Sequence, residues 1–338
     1  MRVLVTGSSG HLGRGLVRVL KADGYEVIGL DLLASSETDA VGSITDRSLV
    51  RRCMAEVGAV IHTATLHQPH VGTHSRQDFV DTNVTGTLSL LEGAAEAGVG
   101  CFVLTSTTSV FGRSLVPPPG APASWITEDV VPVSKNIYGA TKIAAEELGQ
   151  LFHLEHGLPC MILRTSRFFP ESDDNPEVRD AYLDANVKVN ELLYRRVDIE
   201  DVVSAHLLAL RRGSSIGFGR YIISATTPFA RGDLAELRSD APLVVRRLFR
   251  ECEDIYARRG WRLFPSIERV YVNTHARDEL GWSPRYDFGR ALACLQADTD
   301  PSSPLAVEIG ARATAKVRKG SEPSHSGWSV SADKKRSR

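Results

Sequence analysis

Tyr138 and Lys142 stand four residues apart in Tyr138-Gly139-Ala140-Thr141-Lys142, at the start of a stretch that reads as a helix. Four residues is slightly more than one helical turn, so a phenol and an ammonium at this spacing share a face and can converge on one point. Such a pair suits proton transfer. A phenol with a reference pKa of ~10 needs about 4 kcal/mol of preferential phenolate stabilisation to titrate roughly three units lower. One cation at about 4 Å supplies something of that order at an effective dielectric of roughly 20. Lys142 is therefore expected to lower the Tyr138 pKa, and a Ser or Thr hydroxyl beside them would hold a substrate oxygen at the phenol. Hydroxyls are at hand in Thr105-Ser106-Thr107-Thr108-Ser109, which follows the apolar run Cys101 to Leu104.

A proton-transfer pair of this kind needs a partner that takes electrons, and the N-terminus offers one. Arg2 to Thr6 reads as a buried strand, Gly7-Ser8-Ser9-Gly10-His11-Leu12-Gly13 as a turn, and Leu16, Val17, Val19 and Leu20 as one face of a helix. Strand, glycine turn and helix make a dinucleotide phosphate site: the glycines admit the backbone to the pyrophosphate, and the helix N-terminus faces it with N–H groups and a positive dipole end. The next strand, Glu26 to Leu30, ends in Asp31. A carboxylate there accepts from ribose hydroxyls and repels the extra phosphate of NADP, and no Arg stands at positions 32 or 33; the expected cofactor is NAD.

The elements that position these groups follow in order. A helix is expected near residues 46 to 56 with Asp46 as its cap, a third strand at Ala59 to His62, a long amphipathic helix over residues 77 to 97, and a fourth strand at Cys101 to Leu104. Alternating strands and helices with continuously apolar strands predict an α/β fold, a Rossmann-type doubly wound parallel sheet. His62, His67, His70 and His74 crowd one stretch, but the spacing is not helical and no Cys or carboxylate lies among them. The expectation is no metal.

The chain has 338 residues and a formal net charge of −1, which gives no reason to expect nucleic acid or a membrane surface as the main partner. Cys53, Cys101, Cys160, Cys252 and Cys294 are odd in number and scattered, so they read as reduced packing residues. With a strand starting at residue 2 and no apolar run of bilayer length, a cytoplasmic protein is expected.

Taken together, TGSSGHLG (6–13), Asp31, GSITD (42–46), VIHTAT (60–65), NVTGT (83–87), LTSTTSVFG (104–112) and YGATK (138–142) resemble the extended short-chain dehydrogenases/reductases, and within them the NAD-dependent epimerase/dehydratase group. The resemblance implies that Gly7, Gly10 and Gly13 shape the turn while His11 and Leu12 meet the pyrophosphate through backbone N–H. It implies Asp31 at the ribose, Ser43 and Ile44 at the adenine, and Thr63, Ala64 and Thr65 along the dinucleotide groove. Ser43 stands where the family has Asp; its hydroxyl can still accept from the adenine amino group. Asn83 would support the nicotinamide end and Ser166 would lie near the carboxamide. Thr107 falls at the catalytic hydroxyl, Tyr138 is the acid or base, and Lys142 tunes it and grips the nicotinamide ribose. Substrate contacts are implied at His67, Thr108, Arg167 and Arg262, and a homodimer through residues 77 to 97 and 137 to 156.

The second half departs from the family pattern. Where the family reads R-x-x-N, this chain has Arg164-Thr165-Ser166-Arg167, so Arg167 offers a cation for a carboxylate or phosphate, or serves as a surface salt-bridge partner. The segment Pro170 to Leu193, with Glu171, Asp173 and Asp174, is short for a nucleotide-covering insert, and no R-x-G-D occurs; Arg262, placed before Leu280-Gly281-Trp282, could replace a missing arginine. A 4,6-dehydratase is disfavoured, because Thr107 is followed by Thr108-Ser109 and not by Asp-Glu. The expected chemistry is NAD-dependent hydride transfer at a hydroxyl-bearing carbon of a sugar, sugar acid or nucleotide sugar, in a dehydrogenase or epimerase. The alternatives are an NAD-sensing regulator without turnover, whose relatives typically lack the Tyr and Lys, and a ketone or hydroxysteroid-type reductase.

In the expected layout residues 1–165 bind NAD, residues 166–312 form a substrate lobe interleaved with the core, and residues 313–338 are a disordered tail. Within the lobe, Asp201 to Leu210 reads as a helix, Tyr221 to Ser224 as a strand, and Leu243 to Arg258 as one Arg-rich amphipathic helix with a solvated face. From Ala311 onward eight basic residues stand against two acidic ones.

Overall fold

Along the first strand Val3 and Val5 point to one side of a sheet and Leu4 to the other, and all three are buried, which requires a cover on both faces. A computed structural model describes residues 1–173 and 175–310, so the expected tail and Asp174 lie outside the described residues. The elements are β1 (Arg2–Thr6), α1 (His11–Ala22), β2 (Glu26–Asp31), β3 (Ala40–Val41), α2 (Arg47–Cys53), β4 (Val57–His62), α3 (Arg76–Val80), α4 (Gly86–Glu96), β5 (Cys101–Thr107), β6 (Ser124–Ile126), α5 (Ile137–His156) and β7 (Cys160–Thr165). They continue as α6 (Pro176–Ala181), α7 (Asp184–Leu192), α8 (Ile199–Ile216), β8 (Phe218–Ile223), α9 (Leu234–Leu248), α10 (Cys252–Arg259), β9 (Arg269–Tyr271), α11 (Thr274–Leu280), α12 (Phe288–Gln296) and α13 (Pro304–Ile309).

Seven strands form one sheet in the order β3-β2-β1-β4-β5-β7-β8, every pair parallel. Successive strands diverge from β1 in opposite directions, so the strand order reverses there and a crevice opens at the carboxyl ends of β1 and β4. This is the Rossmann-type fold the patterning predicts. One face is covered by α1 and α8, with Leu16, Leu20, Val202 and Val203 packed on Val3, Val5, Ile61, Val103 and Leu163. The other carries Leu90, Leu91, Ala145 and Phe152 against Leu4, Val60, Phe102, Leu104 and Ile162. A third apolar cluster joins Ala123, Val189, Leu193, Phe229, Leu237, Val244, Tyr256 and Leu292 away from the sheet.

Four local expectations need correcting. The fourth strand does not stop at Leu104: Thr105, Ser106 and Thr107 continue the ladder opposite Leu163, Arg164 and Thr165, because β-branched Thr suits a pleated strand and every hydroxyl finds a partner. The strand expected at Tyr221–Ser224 in the small lobe is β8 of the main sheet, paired with β7 through Tyr221↔Leu163. The single helix over 77 to 97 is α3 and α4 joined by a π turn at Asp81–Thr85, which inserts one extra residue per turn and re-aims Asn83. The helix expected over Leu243 to Arg258 is α9 and α10, and α9 itself bends at Asp240, two residues before Pro242.

Candidate active site

The glycine turn is tied down before any ligand enters. Gly7 has φ +72° and donates its N–H to the Leu30 carbonyl at 2.8 Å, while Gly10 N–H returns to the Gly7 carbonyl at 2.9 Å. A Cβ on Gly13 would lie 2.0 Å from that same carbonyl, so only glycine lets α1 start this close to β1. Helix α1 begins at His11 with Gly10 as N-cap and no side-chain cap, an arrangement suited to an anion. Asp31 sits at the end of β2 with Oδ2 accepting Ser9 N–H at 3.0 Å and Oδ1 accepting Leu33 N–H at 2.9 Å, which places its carboxylate beside the turn.

Across the crevice the loop after β4 is held from beneath. The Thr63 hydroxyl donates to the Thr6 carbonyl at 2.8 Å, and Ala64 N–H reaches the Thr6 hydroxyl at 3.3 Å. Buried His62 links this loop to the π turn. The Thr87 hydroxyl donates to the Asn83 carbonyl at 2.7 Å, so it accepts from His62 Nε2 at 3.0 Å and leaves Nδ1 to accept from the Thr6 hydroxyl at 2.7 Å. Burial, and then the Lys142 charge, push His62 well below its ordinary pKa. Asn83 uses its whole amide: Oδ1 accepts from the Thr65 hydroxyl and Leu66 N–H, and Nδ2 donates to the Leu66 carbonyl and the Thr141 hydroxyl. It thereby joins the β4 loop to the first turn of α5.

Asn136 caps α5, and the helix presents Tyr138 and Lys142 to the end of β5. The Thr107 hydroxyl lies near enough to the Tyr138 phenol to oppose the effect of burial on it, and accepts Ser109 N–H at 3.1 Å. Lys142 Nζ donates to the Thr105 carbonyl at 2.8 Å. Lys142 and Tyr138, four residues apart on α5, and Thr107 thus lie around one strand exit. The electrostatics differ from expectation. Burial pushes Tyr138 up to about 12, opposed by the Thr107 hydroxyl, so in the protein without cofactor burial outweighs the expected lowering. Burial also pulls Lys142 down to about 8, against the opposing pull of Glu146.

Other sequence-derived site residues fall into two groups. Ser166 leads off β7 with its N–H on the Ile223 carbonyl, and its buried hydroxyl has no partner. Ile44 is buried against Gly86, while the Ser43 hydroxyl already serves Thr45 N–H at 3.1 Å. Thr108 is buried directly beyond Thr107. His67 stacks on Phe169 at 5.2 Å, and burial followed by the nearby His70 brings its pKa to about 4. The second group is occupied by its own surroundings. Arg167 pairs with Asp173 at 3.0 Å and approaches Glu191 at 3.9 Å, the salt-bridge alternative of the sequence reading. Arg262 donates to the Ala181 carbonyl at 2.6 Å and lies 4.5 Å over the Tyr182 ring, so its contacts are with the segment joining α6 and α7. Among the described residues no group of three His, Cys, Asp or Glu side chains could hold a metal.

Sequence reasoning missed three features. Phe168 and Phe169 stack on each other at 4.3 Å and bridge His11 to His67, tying the glycine turn to the loop after β4. Glu146 lies buried one turn beyond Lys142, and His206 of α8 meets the Thr105 hydroxyl at 2.7 Å. A carboxylate four residues after Lys142 and a histidine inside the apolar face of α8 were the available signals.

A parallel sheet with a glycine turn at its switch point, an acid after β2 and a Thr–Tyr–Lys set at one strand exit define a dinucleotide-binding fold of the short-chain oxidoreductase type. The chain belongs to the NAD dependent epimerase/dehydratase family, whose model matches residues 3–223. It is 30% identical over 324 residues to the low-salt glycan biosynthesis protein Agl12 of Haloferax volcanii, covering 87% of this chain and 97% of that one. It is 27% identical over 323 residues to a UDP-glucose 4-epimerase of Rhizobium meliloti, covering 85% and 93%. Among solved structures, a short-chain dehydrogenase/reductase superfamily protein of Agrobacterium tumefaciens with bound NAD superposes with a TM-score of 0.62 at 23% identity, over 91% of this chain and 99% of that one. No helix among the described residues is long and apolar enough to cross a membrane.

Proposed function

We propose that the protein is an NAD-dependent oxidoreductase or epimerase acting on a hydroxyl-bearing carbon of a sugar or sugar acid. The observation that carries this reading is the convergence of Thr107, Tyr138 and Lys142 on the end of β5. The residues of the crevice suit NAD: a Gly13 cradle that any Cβ would fill, the Asp31 carboxylate beside the turn, and the buried, unpartnered Ser166 hydroxyl. Gly7, Gly10, His11, Leu12 and Gly13 would hold the pyrophosphate, Asp31 the ribose, Ser43 and Ile44 the adenine, and Thr63 to Thr65 the groove wall. When bound, NAD supplies the hydride acceptor and donor.

The protein's part is to hold and move a proton. Thr107 donates to or accepts from the substrate hydroxyl and fixes it against Tyr138, whose oxygen, once ionised in the cofactor-bound enzyme, takes the hydroxyl proton as the carbon–hydrogen bond breaks. Lys142, anchored on Thr105, keeps a positive charge beside that oxygen. A dehydrogenase releases the ketone; an epimerase restores hydrogen on the opposite face.

A sugar acid fits the cation at Arg167. Arg167, Arg195 and Arg196 face Asp173 and Glu191, and a substrate carboxylate would compete with those acids for Arg167. Purified protein with NAD offered uronic acids, free sugars and UDP- or TDP-sugars tests the reading, with reduced-nicotinamide absorbance and product NMR followed together. NADH accumulation identifies a dehydrogenase, and an inverted stereocentre without net NADH identifies an epimerase. Tight NAD binding with silence on both channels would favour a sensing role, and Tyr138→Phe separates the two: an enzyme loses turnover and keeps NAD, whereas a sensor keeps partner binding.

A further inference from the structure

On α5, Tyr138, Lys142 and Glu146 follow at intervals of four residues, and the third member of the row is a carboxylate that is only 1% exposed. Glu residues are seldom buried this completely unless paired. Here the pairing is elaborate. Glu146 accepts from the Ser106 hydroxyl at 2.5 Å, from Arg164 Nη2 at 2.7 Å and from Arg164 Nε at 3.1 Å, with Arg220 Nε at 3.7 Å. Ser106 and Arg164 are register partners across β5 and β7, so one carboxylate from the helix above clasps both strands. The Arg164 guanidinium, also buried, lies 5.0 Å over the Phe111 ring and donates to the Glu128 carbonyl.

Ser106 is the residue between the two attachments of the chemistry. The carbonyl of Thr105, before it, receives Lys142, and the hydroxyl of Thr107, after it, meets Tyr138. Its own carbonyl accepts the Thr165 hydroxyl at 2.9 Å, so Ser106 is gripped through side chain and backbone together. We propose that Glu146, through Ser106 and Arg164, is a positioning residue that holds the end of β5 so that Thr107 and Lys142 stand in register with Tyr138. A buried ion pair is weak evidence for stability, since apolar residues of like volume often fill such a site as well. Specification of one strand geometry is a role an apolar replacement does not perform.

The proposal rests on the hydride-transfer reading for its kinetic arm and not for its structural arm. Three variants of the full chain are compared with wild type: Ser106→Ala, which cuts the link to the strand and leaves the ion pair whole; Glu146→Gln; and the double variant Glu146→Gln/Arg164→Met, which leaves no buried charge unpaired. Amide exchange of peptides covering residues 101–111 is read by mass spectrometry alongside kcat, KM and NAD affinity. In Ser106→Ala and the double variant the amides at the end of β5 are expected to exchange at least tenfold faster, the rest of the sheet being unchanged. The expected kinetic change is a roughly tenfold loss in kcat with NAD affinity within twofold. Should Glu146→Gln alone fail to fold, the other two variants decide, since neither strands a charge. Folded variants with unaltered exchange and unaltered kcat overturn the proposal. If wild type turns over no substrate, the functional reading fails while the exchange comparison still decides this one.

Discussion

Lys142 Nζ donates to the carbonyl of Thr105, while the Tyr138 phenol lies beside the Thr107 hydroxyl, so ammonium and phenol address the same strand two residues apart. A phenol in this setting keeps its proton, because burial raises it to about 12. In the NAD-free protein, an ultraviolet difference titration of wild type against Tyr138→Phe is expected to show no phenolate from Tyr138 below pH 10. A phenolate signal near neutrality without cofactor would mean that Lys142 acts on the phenol directly.

Asp31 accepts two backbone N–H groups, from the turn and from the start of the following loop, which fixes its carboxylate beside the glycine turn, where the NAD reading puts the ribose. Asp31→Ala should weaken NAD binding by about tenfold, the scale of losing one charge-assisted hydrogen bond, and narrow the preference for NAD over NADP. Fluorescence titration with both cofactors measures this. Equal affinities in the wild type would remove the basis for the NAD assignment.

Acid stability follows from histidines folded in the neutral form. His67 and His206 are lowered to about 4 by burial, and His62 is lowered as well. The unfolded chain takes up protons near pH 6.5 while these folded groups stay neutral, so stability is fully present above about 6.5 and is lost as pH falls toward 4. The loss is of order 3 kcal/mol for each of His67 and His206. Denaturant midpoints between pH 7 and 5 should fall steeply in the wild type and less steeply in His67→Asn. Parallel slopes would show that other groups dominate.

Gly13→Ala is the sharpest test of the turn. Its Cβ would sit 2.0 Å from the Gly7 carbonyl, which β1 and β2 hold in place, so the start of α1 must move away. A loss of NAD binding beyond 100-fold is expected, with a stability cost of about 2–4 kcal/mol from overpacking and displaced backbone bonds. Calorimetry on the variant measures both. Near-normal NAD affinity would contradict the assignment of this turn to the pyrophosphate.

Asn83→Ala should unfold more easily by about 2–4 kcal/mol, because four polar groups on the β4 loop and α5, the Thr141 hydroxyl among them fully buried, lose a partner at once. Chemical denaturation would reveal a smaller loss if water replaces the amide.

The parallel sheet was legible because each early strand is a short apolar run ending in a turn, and the Tyr138–Lys142 pair because helical spacing is local. What escaped the sequence depends on contacts far apart in the chain. Nothing near residues 218–223 says that they add to β7, since that follows from the path of α8 across the sheet. The π turn at 81–85 leaves the apolar pattern almost intact, so one helix and two look alike. Pro242 did announce the bend in α9, and the Arg-rich face obscured it. Tyr138 illustrates the limit at the site: spacing put a cation nearby, whereas burial and then the Thr107 hydroxyl, both set by tertiary structure, decide the pKa without cofactor.

Arg167 and Arg196 form a parallel β-bridge, with Arg167 N–H on the Arg195 carbonyl and Val197 N–H on the Arg167 carbonyl. The excursion that carries Asp173, α6, α7 and Glu191 thus leaves the sheet and returns at one stapled doorway. Changes of length between those two arginines leave the strand order untouched, yet α7 within the excursion gives Val189 to the third apolar cluster and Asn190 to Tyr256. The excursion is thus moored twice, by the bridge at its two ends and by α7 in the apolar cluster of the lobe, and any exchange of it must keep both.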